Sequence, residues 1–492
     1  MSSISASKHR YFGEAIGVHA SNRPTAPAIV SDAGTIDFST FDRAIRAQGD
    51  AFRRAGIGRG ARVALAMRDD PAHIVALFAL QRLAAVPFIT DVGDPPGIRD
   101  ALAVAAGAVI AVGTPDDNAG WAVPFVAIGA GGDPAAELPP PPEPDDFCGF
   151  RRSSGTTAGV PRLTPVTHRY ELSQLEFLRS TILWATGDRY LSIVSMAFEL
   201  GRVSVQHALL CGSAVVLPPP LGSVDDLVAA VRRLGGTWTS ITPTHLRHLL
   251  DRAGPRPLLP GLALLTTSAA LTEGERVRVM AEVSPALYVL YATNEVGLIA
   301  VATPDDLRRV PGTAGRPIAA IAVEVVDDGG WPVPTGAVGE VRACHPAYPD
   351  AYASSEPGAS SRFAGGWFYP GDLGCFDAEG HLFLKGPTDD VINVGGRKVY
   401  PSEIVECLAT HAAVAEAAAV GIPERRFGAV PVAAVVLLAP ASEDELLEHC
   451  RAFLPRGHSP ARVIAFDALP KTAGAKLDRA ALRRLLVARV AR

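Results

Sequence analysis

Amphipathic helices alternate with short apolar strands along residues 1–137, and that alternation leaves few folds open. A helix is read over 42–55, a buried strand over 62–67, a helix over 72–83 and a strand over 109–112. Strands that take turns with helices pair in parallel. The GIGRGAR run at 56–62 precedes a strand instead of following one. It reads as a helix C-cap and turn, not as a dinucleotide loop. Beyond the stiff spacer LPPPPEP at 138–144, a polyproline connection, the alternation resumes. Strands are expected at 215–217 and 263–265, and helices at 224–234 and 243–252. Segments 323–326 and 339–342 flank Asp328-Gly329-Gly330 and read as an antiparallel hairpin. The end of the chain has its own pattern: helix 402–410, strands 416–421 and 431–438, helix 442–454. The expectation is an α/β protein. A large N-terminal domain of parallel and mixed sheets with helices precedes a small, mobile α+β domain.

Bulk properties exclude several functions. The chain has 492 residues, enough for more than one domain. Its 46 basic and 51 acidic residues give a net charge of −5, so no basic stripe marks a nucleic-acid partner. No apolar run reaches the roughly 18 residues of a spanning helix, and the N-terminus lacks a signal-peptide core. The six cysteines, at 148, 211, 344, 375, 407 and 450, form no CxxC pair. They read as small buried residues of a reduced, cytoplasmic protein.

Four segments carry chemistry. Residues 371–404 crowd a Gly371-Asp372 turn, a hairpin turn at 377–380, the pair Asp389-Asp390 and the double glycine Gly395-Gly396. Residues 151–162, RRSSGTTAGVPR, form a Ser/Thr/Gly-rich loop closed by a cation. Small residues bring backbone N–H groups close to phosphate oxygens, and arginine can pair with them bidentately. A flexible surface loop is the other reading of these residues alone. Tyr291-Ala292-Thr293-Asn294-Glu295 follows a strand, where ligands bind in open α/β sheets. Glu295 can hold Mg²⁺ there, or be a solvated acid. Residues 469–479 form a glycine-bearing loop with two lysines, which alone reads equally as a basic tail.

In their order and spacing these segments resemble the adenylate-forming superfamily: acyl-CoA synthetases, adenylation domains of nonribosomal peptide synthesis and beetle luciferases. The resemblance implies an AMP-binding ligase that joins a carboxylic acid to ATP, releases pyrophosphate, and passes the acyl group to a thiol. It implies Ser154, Gly155, Thr156, Thr157, Gly159 and Arg162 as phosphate ligands and Glu295 as the Mg²⁺ ligand. Lys476 would be catalytic, bridging the carboxylate and the α-phosphate. Ser268, Ala269, Ala270, Tyr291, Ala292, Thr293, Asn294 and Asp372 would hold adenosine, with Asp372 on the ribose hydroxyls. It further implies a domain of residues 1–386, a hinge at 387–390 turning about Asp389, and a C-terminal domain of 391–492. Rotation would exchange the Lys476 loop for a thiol-side loop of Gly395, Gly396 and Arg397. By position, Phe198, Glu199, Gly201, Arg202, Ser204, Trp238, Thr267 and Leu298 would line the acyl pocket. The partners implied are a small or aromatic carboxylic acid, ATP, Mg²⁺ and coenzyme A, with a phosphopantetheinyl carrier protein as the alternative acceptor. No nucleic acid or membrane is expected, and the protein is expected as a monomer or homodimer.

The sequence departs from the family pattern in places. An extra residue, Ala158 or its neighbour, lengthens the phosphate loop, and Arg162 stands for the usual lysine. Ala292 and Asn294 replace glycine and threonine. Pro387 stands where the family has a nucleotide-contacting arginine, and it offers neither cation nor N–H. Arg151, Arg152 or Arg397 could supply the charge. These departures keep open a third reading, a member that binds without turnover. Glu199 falls near the acid that binds a substrate amine in amino-acid-activating relatives. It equally suits an i,i+3 pair with Arg202 on a helix. His168 is read as a helix cap.

Overall fold

The computed structural model describes residues 9–490 apart from 119–120, 130, 153–162, 183, 253, 255, 268–269, 320, 346–347, 349–361, 395–396 and 472–476. The largest sheet has nine strands. Its centre is parallel, in the spatial order Pro27–Ser31, Ala214–Val216, Arg189–Leu191, Trp238–Ile241, Ala263–Thr266, Leu287–Thr293. Antiparallel strands close both edges: Gly34–Asp37 at one, Gly297–Ala302 and Arg316–Pro317 at the other.

Alternation along these strands explains how both faces are covered. Leu191, Val216, Ile241, Leu264 and Leu287 pack with helices Val224–Leu234 and Pro243–Asp251. Tyr190, Val215, Trp238, Leu265 and Leu290 belong to the core on the other face, with Leu175, Leu178, Val205 and Leu209. Successive strand side chains point to opposite faces, so one apolar strand serves two helical layers.

A second sheet of four parallel strands runs Val86–Asp91, Arg62–Met67, Ile110–Gly113, Phe125–Ala127. The parallel arrangement read from residues 1–137 is therefore present but split. Pro27–Ser31 and Gly34–Asp37 pair as a hairpin and join the nine-stranded sheet instead. The 56–62 run is a turn, with Gly56 and Gly60 at positive φ.

The hairpin read at 323–342 is Ala322–Val326 against Gly339–Cys344, antiparallel throughout. It belongs to a six-stranded sheet that also holds Asp372–Phe376 and Leu382–Pro387. The C-terminal segment forms a five-stranded sheet with helices Pro401–Ala409, Glu443–Phe453 and Arg479–Val490. It touches the rest of the chain where Glu273 N–H donates to Glu406 (3.1 Å) and Ser402 Oγ to the Lys385 carbonyl (2.7 Å). Among the described residues no helix is long and apolar enough to cross a membrane. All six cysteines are free, and four of them are buried.

Candidate active site

Tyr291 ends the parallel run of the large sheet, and Asp372 opens a strand of the six-stranded sheet. They meet: Tyr291 Oη donates to Asp372 Oδ2 at 2.7 Å. Burial, then the Asp372 carboxylate, push the Tyr291 phenol well above its usual pKa, and the Arg362 guanidinium pulls against them. One oxygen of Asp372 is thus engaged by the Tyr291 hydroxyl. Glu295 lies half-buried in the turn between Leu287–Thr293 and Gly297–Ala302. That places a carboxylate at the C-terminal end of a parallel strand, where ligands sit in open α/β sheets. A carboxylate there suits Mg²⁺, which is commonly held by one or two carboxylates with substrate phosphates and water.

Asn294, two residues from Ala292 and beside Thr293, points the other way. Its amide donates to the Arg152 carbonyl at 2.6 Å. The turn is thereby tied to the strand Phe147–Arg152. Thr293 Oγ1 accepts from Val296 N–H at 3.3 Å. Thr267 is half-buried and Ala270 exposed.

The loops expected to carry phosphate contacts, the thiol-side glycines and the lysine lie outside the described residues. This holds for Ser154, Gly155, Thr156, Thr157, Gly159, Arg162, Ser268, Ala269, Gly395, Gly396 and Lys476. Their bases are described, and three share one construction. Arg152 pairs with Leu163, Val394 with Arg397, and Lys471 with Leu477, each in antiparallel fashion. The first two pairings are strand hairpins, and the third is an isolated bridge.

Pro387 faces Asp372 across the antiparallel ladder. Its φ of −63° is ordinary for proline. The next residue supplies the missing donor, as Thr388 N–H bonds to the Gly371 carbonyl at 2.8 Å. Asp389 is exposed in the short turn Thr388–Asp390, and Asp390 pairs with Arg479 at 2.8 Å.

None of the three arginines considered as replacement cations stands at Pro387. Arg151 is buried in a pair with Glu171, Arg152 bonds Asp94 at 3.0 Å, and Arg397 presses against Gly457. The cation beside Asp372 is Arg362, which the sequence reading passed over. A Cβ on Gly371 would lie 3.3–3.4 Å from its guanidinium. Arg362 also bonds the Pro370 carbonyl, and it forms no ion pair among the described residues. Only its spacing of ten residues before Asp372 could have hinted at it.

Of the expected acyl-pocket residues, Glu199, Gly201, Arg202 and Ser204 lie in the helix Glu199–Cys211. Phe198 precedes it and is 62% exposed. Gly201 lets the helix touch the preceding loop, since a Cβ there would come within 2.3 Å of the Val194 carbonyl oxygen. Glu199 pairs with Arg202, as the i,i+3 spacing suggests, and its other oxygen lies 3.3 Å from Arg151 Nε. Arg151 in turn donates to Glu171 at 3.0 and 2.6 Å. Burial disfavours the Arg151 charge, but Glu171 and Glu199 outweigh it and raise the guanidinium pKa. Burial pushes the Glu171 carboxyl up, and Arg151 pulls it back.

Leu298 is buried, and its N–H donates to Gln174 Oε1 at 3.0 Å. Ser204 Oγ lies 2.6 Å from Ser240 Oγ. Trp238 is 1% exposed and stacks on Trp184 at 4.1 Å and against Tyr190 at 4.3 Å. It belongs to the core beneath the helix. His168 begins the helix His168–Ile182, but neither ring nitrogen has a partner among the described residues. It packs edge-on against Tyr11 and Phe12 instead of capping.

The chain is similar to known proteins along most of its length. Residues 17–347 match the AMP-binding enzyme family, and residues 403–476 match the AMP-binding enzyme C-terminal domain. A 2-succinylbenzoate–CoA ligase of Bacillus cereus is 25% identical over 470 residues, covering 94% of this chain and 96% of that one. The fatty acid–[acyl-carrier-protein] ligase ScoC of Streptomyces coeruleorubidus is 27% identical over 499 residues, covering 94% of each. Among solved structures, the o-succinylbenzoate coenzyme A synthetase MenE of Bacillus subtilis, in complex with ATP and magnesium ion, superposes with a TM-score of 0.82. It is 22% identical, and the match covers 96% of this chain and 99% of that one. The chain belongs to the AMP-binding enzymes, the adenylate-forming superfamily, and is an AMP-forming acid–thiol ligase.

Proposed function

We propose that the protein activates a small or aromatic carboxylic acid with ATP and Mg²⁺, then transfers the acyl group to the thiol of coenzyme A. The observation that carries this reading is the meeting of Tyr291 and Asp372, with Glu295 on the same turn-bearing strand end. Tyr291 stacks on adenine while its hydroxyl orients Asp372. The other carboxylate oxygen of Asp372 accepts from the ribose. Arg362 supplies the positive charge beside the ribose that Pro387 cannot. Glu295 holds Mg²⁺, which offsets charge on the phosphates.

The chemical difficulty of the first step is anionic: a carboxylate attacks the α-phosphorus, and pyrophosphate leaves. Donors and cations fixed beforehand lower that barrier most. Ser154, Gly155, Thr156, Thr157, Gly159 and Arg162 hold the outer phosphates, and Lys476 bridges the attacking carboxylate and the α-phosphate. The thiol then attacks the acyl carbon and AMP departs. For that step residues 391–492 turn about the 387–390 hinge, and Gly395, Gly396 and Arg397 replace the Lys476 loop.

The full-length likeness to a carrier-protein ligase supports a second reading, in which the acceptor is a phosphopantetheinyl carrier protein. ATP–pyrophosphate exchange across a panel of aryl, short-chain and amino acids tests the first step. No exchange with any acid would sink the proposal. Acyl transfer assayed with CoA against a carrier protein decides the acceptor.

A further inference from the structure

Four charges are buried together beside the turn that carries Glu295. Arg151 lies against Gly297, close enough that a Cβ there would come within 2.2 Å of its Nη1. Its other nitrogens face Glu171 and Glu199, and Arg202 takes the remaining oxygen of Glu199. The side chains of Arg151 and Glu171 are 2% and 7% exposed, and those of Glu199 and Arg202 are 18% and 10%. Two guanidiniums balance two carboxylates. Both oxygens of Glu199 face an arginine. What the cluster leaves open is one donor, not one charge: Arg151 Nη1 is buried without a partner among the described residues. The four residues come from a strand and two helices, so the balance is set by the fold.

We infer that the acid this enzyme activates has an uncharged tail. The inference rests on the acid-activating reading above and on the acyl group lying along Glu199 and Leu298. A tail ammonium would find its natural counter-ion already held by two arginines, and the cluster would become net positive. A second carboxylate would meet arginines that are already neutralised, and the cluster would become net negative. An unpaired charge is costly where water is scarce. An uncharged tail disturbs neither balance. Glu199 therefore acts as part of an internal salt bridge that disfavours an ammonium on the tail, not as its receptor.

The test is ATP–pyrophosphate exchange with two matched series. One is pentanoate, 4-aminobutanoate and glutarate. The other is 4-ethylbenzoate, 4-(aminomethyl)benzoate and 4-(carboxymethyl)benzoate. In at least one series the uncharged member should exceed both charged members in kcat/KM by about tenfold or more. Arg202→Met releases one oxygen of Glu199, so exchange with the ammonium member should rise relative to the uncharged one. Glu199→Gln leaves the cluster net positive, so the dicarboxylate should gain instead. Preference of the wild-type enzyme for an ammonium or dicarboxylate member overturns the inference while leaving acid activation intact. Absence of exchange with all six acids overturns acid activation, and the inference with it.

Discussion

The Tyr291 hydroxyl donates to Asp372 Oδ2 at 2.7 Å and so joins the nine-stranded sheet to the six-stranded one. Hydrogen bonds to a charged group contribute about 1.5–3 kcal/mol. Tyr291→Phe removes the bond and keeps the ring. The expected outcome is an ATP KM raised by about tenfold with little change in the KM for the acid. Initial exchange rates titrated against ATP measure it. An unchanged ATP KM would remove the pair from the nucleotide site.

Arg362 stands beside Gly371 and Asp372, whereas Arg397 sits against Gly457 in the C-terminal domain. Arg362→Ala is expected to raise the ATP KM by roughly tenfold, and Arg397→Ala to leave it in place. Pro387 lies opposite Asp372, so Pro387→Arg introduced into the Arg362→Ala protein should recover part of the loss. Failure of both effects would assign the charge to another residue.

Lys476→Ala should lower adenylate formation by on the order of 10²–10³-fold. Thioester formation from supplied acyl-adenylate should persist, because the second step is read as using the Gly395-Gly396 side of the domain. The two half-reactions are assayed separately. Equal loss in both would contradict the division of labour between the loops.

Burial holds His168 neutral, with its pKa lowered to about 3 from 6.5. The unfolded chain binds a proton near pH 6.5 that the folded protein refuses. The stabilisation is thus complete above pH 6.5 and is lost as pH falls toward 3. At pH 5 it has fallen by about 2 kcal/mol. His207, also lowered to about 3 by burial, adds a similar slope. His168→Phe should flatten the decline of urea stability between pH 7 and pH 5 by about that amount. A parallel decline in wild type and variant would show that His168 accepts a proton without unfolding.

The elements with strong periodicity were legible in the sequence. Helix Val224–Leu234 lies where the pattern puts it because Leu227, Val228 and Val231 share one face. Ser223 caps its start, and Gly235 ends it in the left-handed region. The charged cluster was not legible. Arg151 and Arg152 are neighbours on one strand, so they point to opposite sides. One goes to Glu171 and the other to Asp94. Which goes where depends on the register of the hairpin Phe147–Arg152 with Leu163–Thr167, and register is a tertiary property. Arg362 escaped for a related reason. Its neighbour is Gly371, reached only when Phe363–Ala364 folds back on Trp367–Phe368.

The Arg152–Leu163 pairing has a consequence for the phosphate loop. A residue added within a strand would slip every later side chain to the wrong face. A residue added between two strands whose ends are already matched only widens the arc, and the entropy of a slightly longer closure rises little. An extra residue there, Ala158 or its neighbour, would leave Arg151 on Glu171 and Arg152 on Asn294.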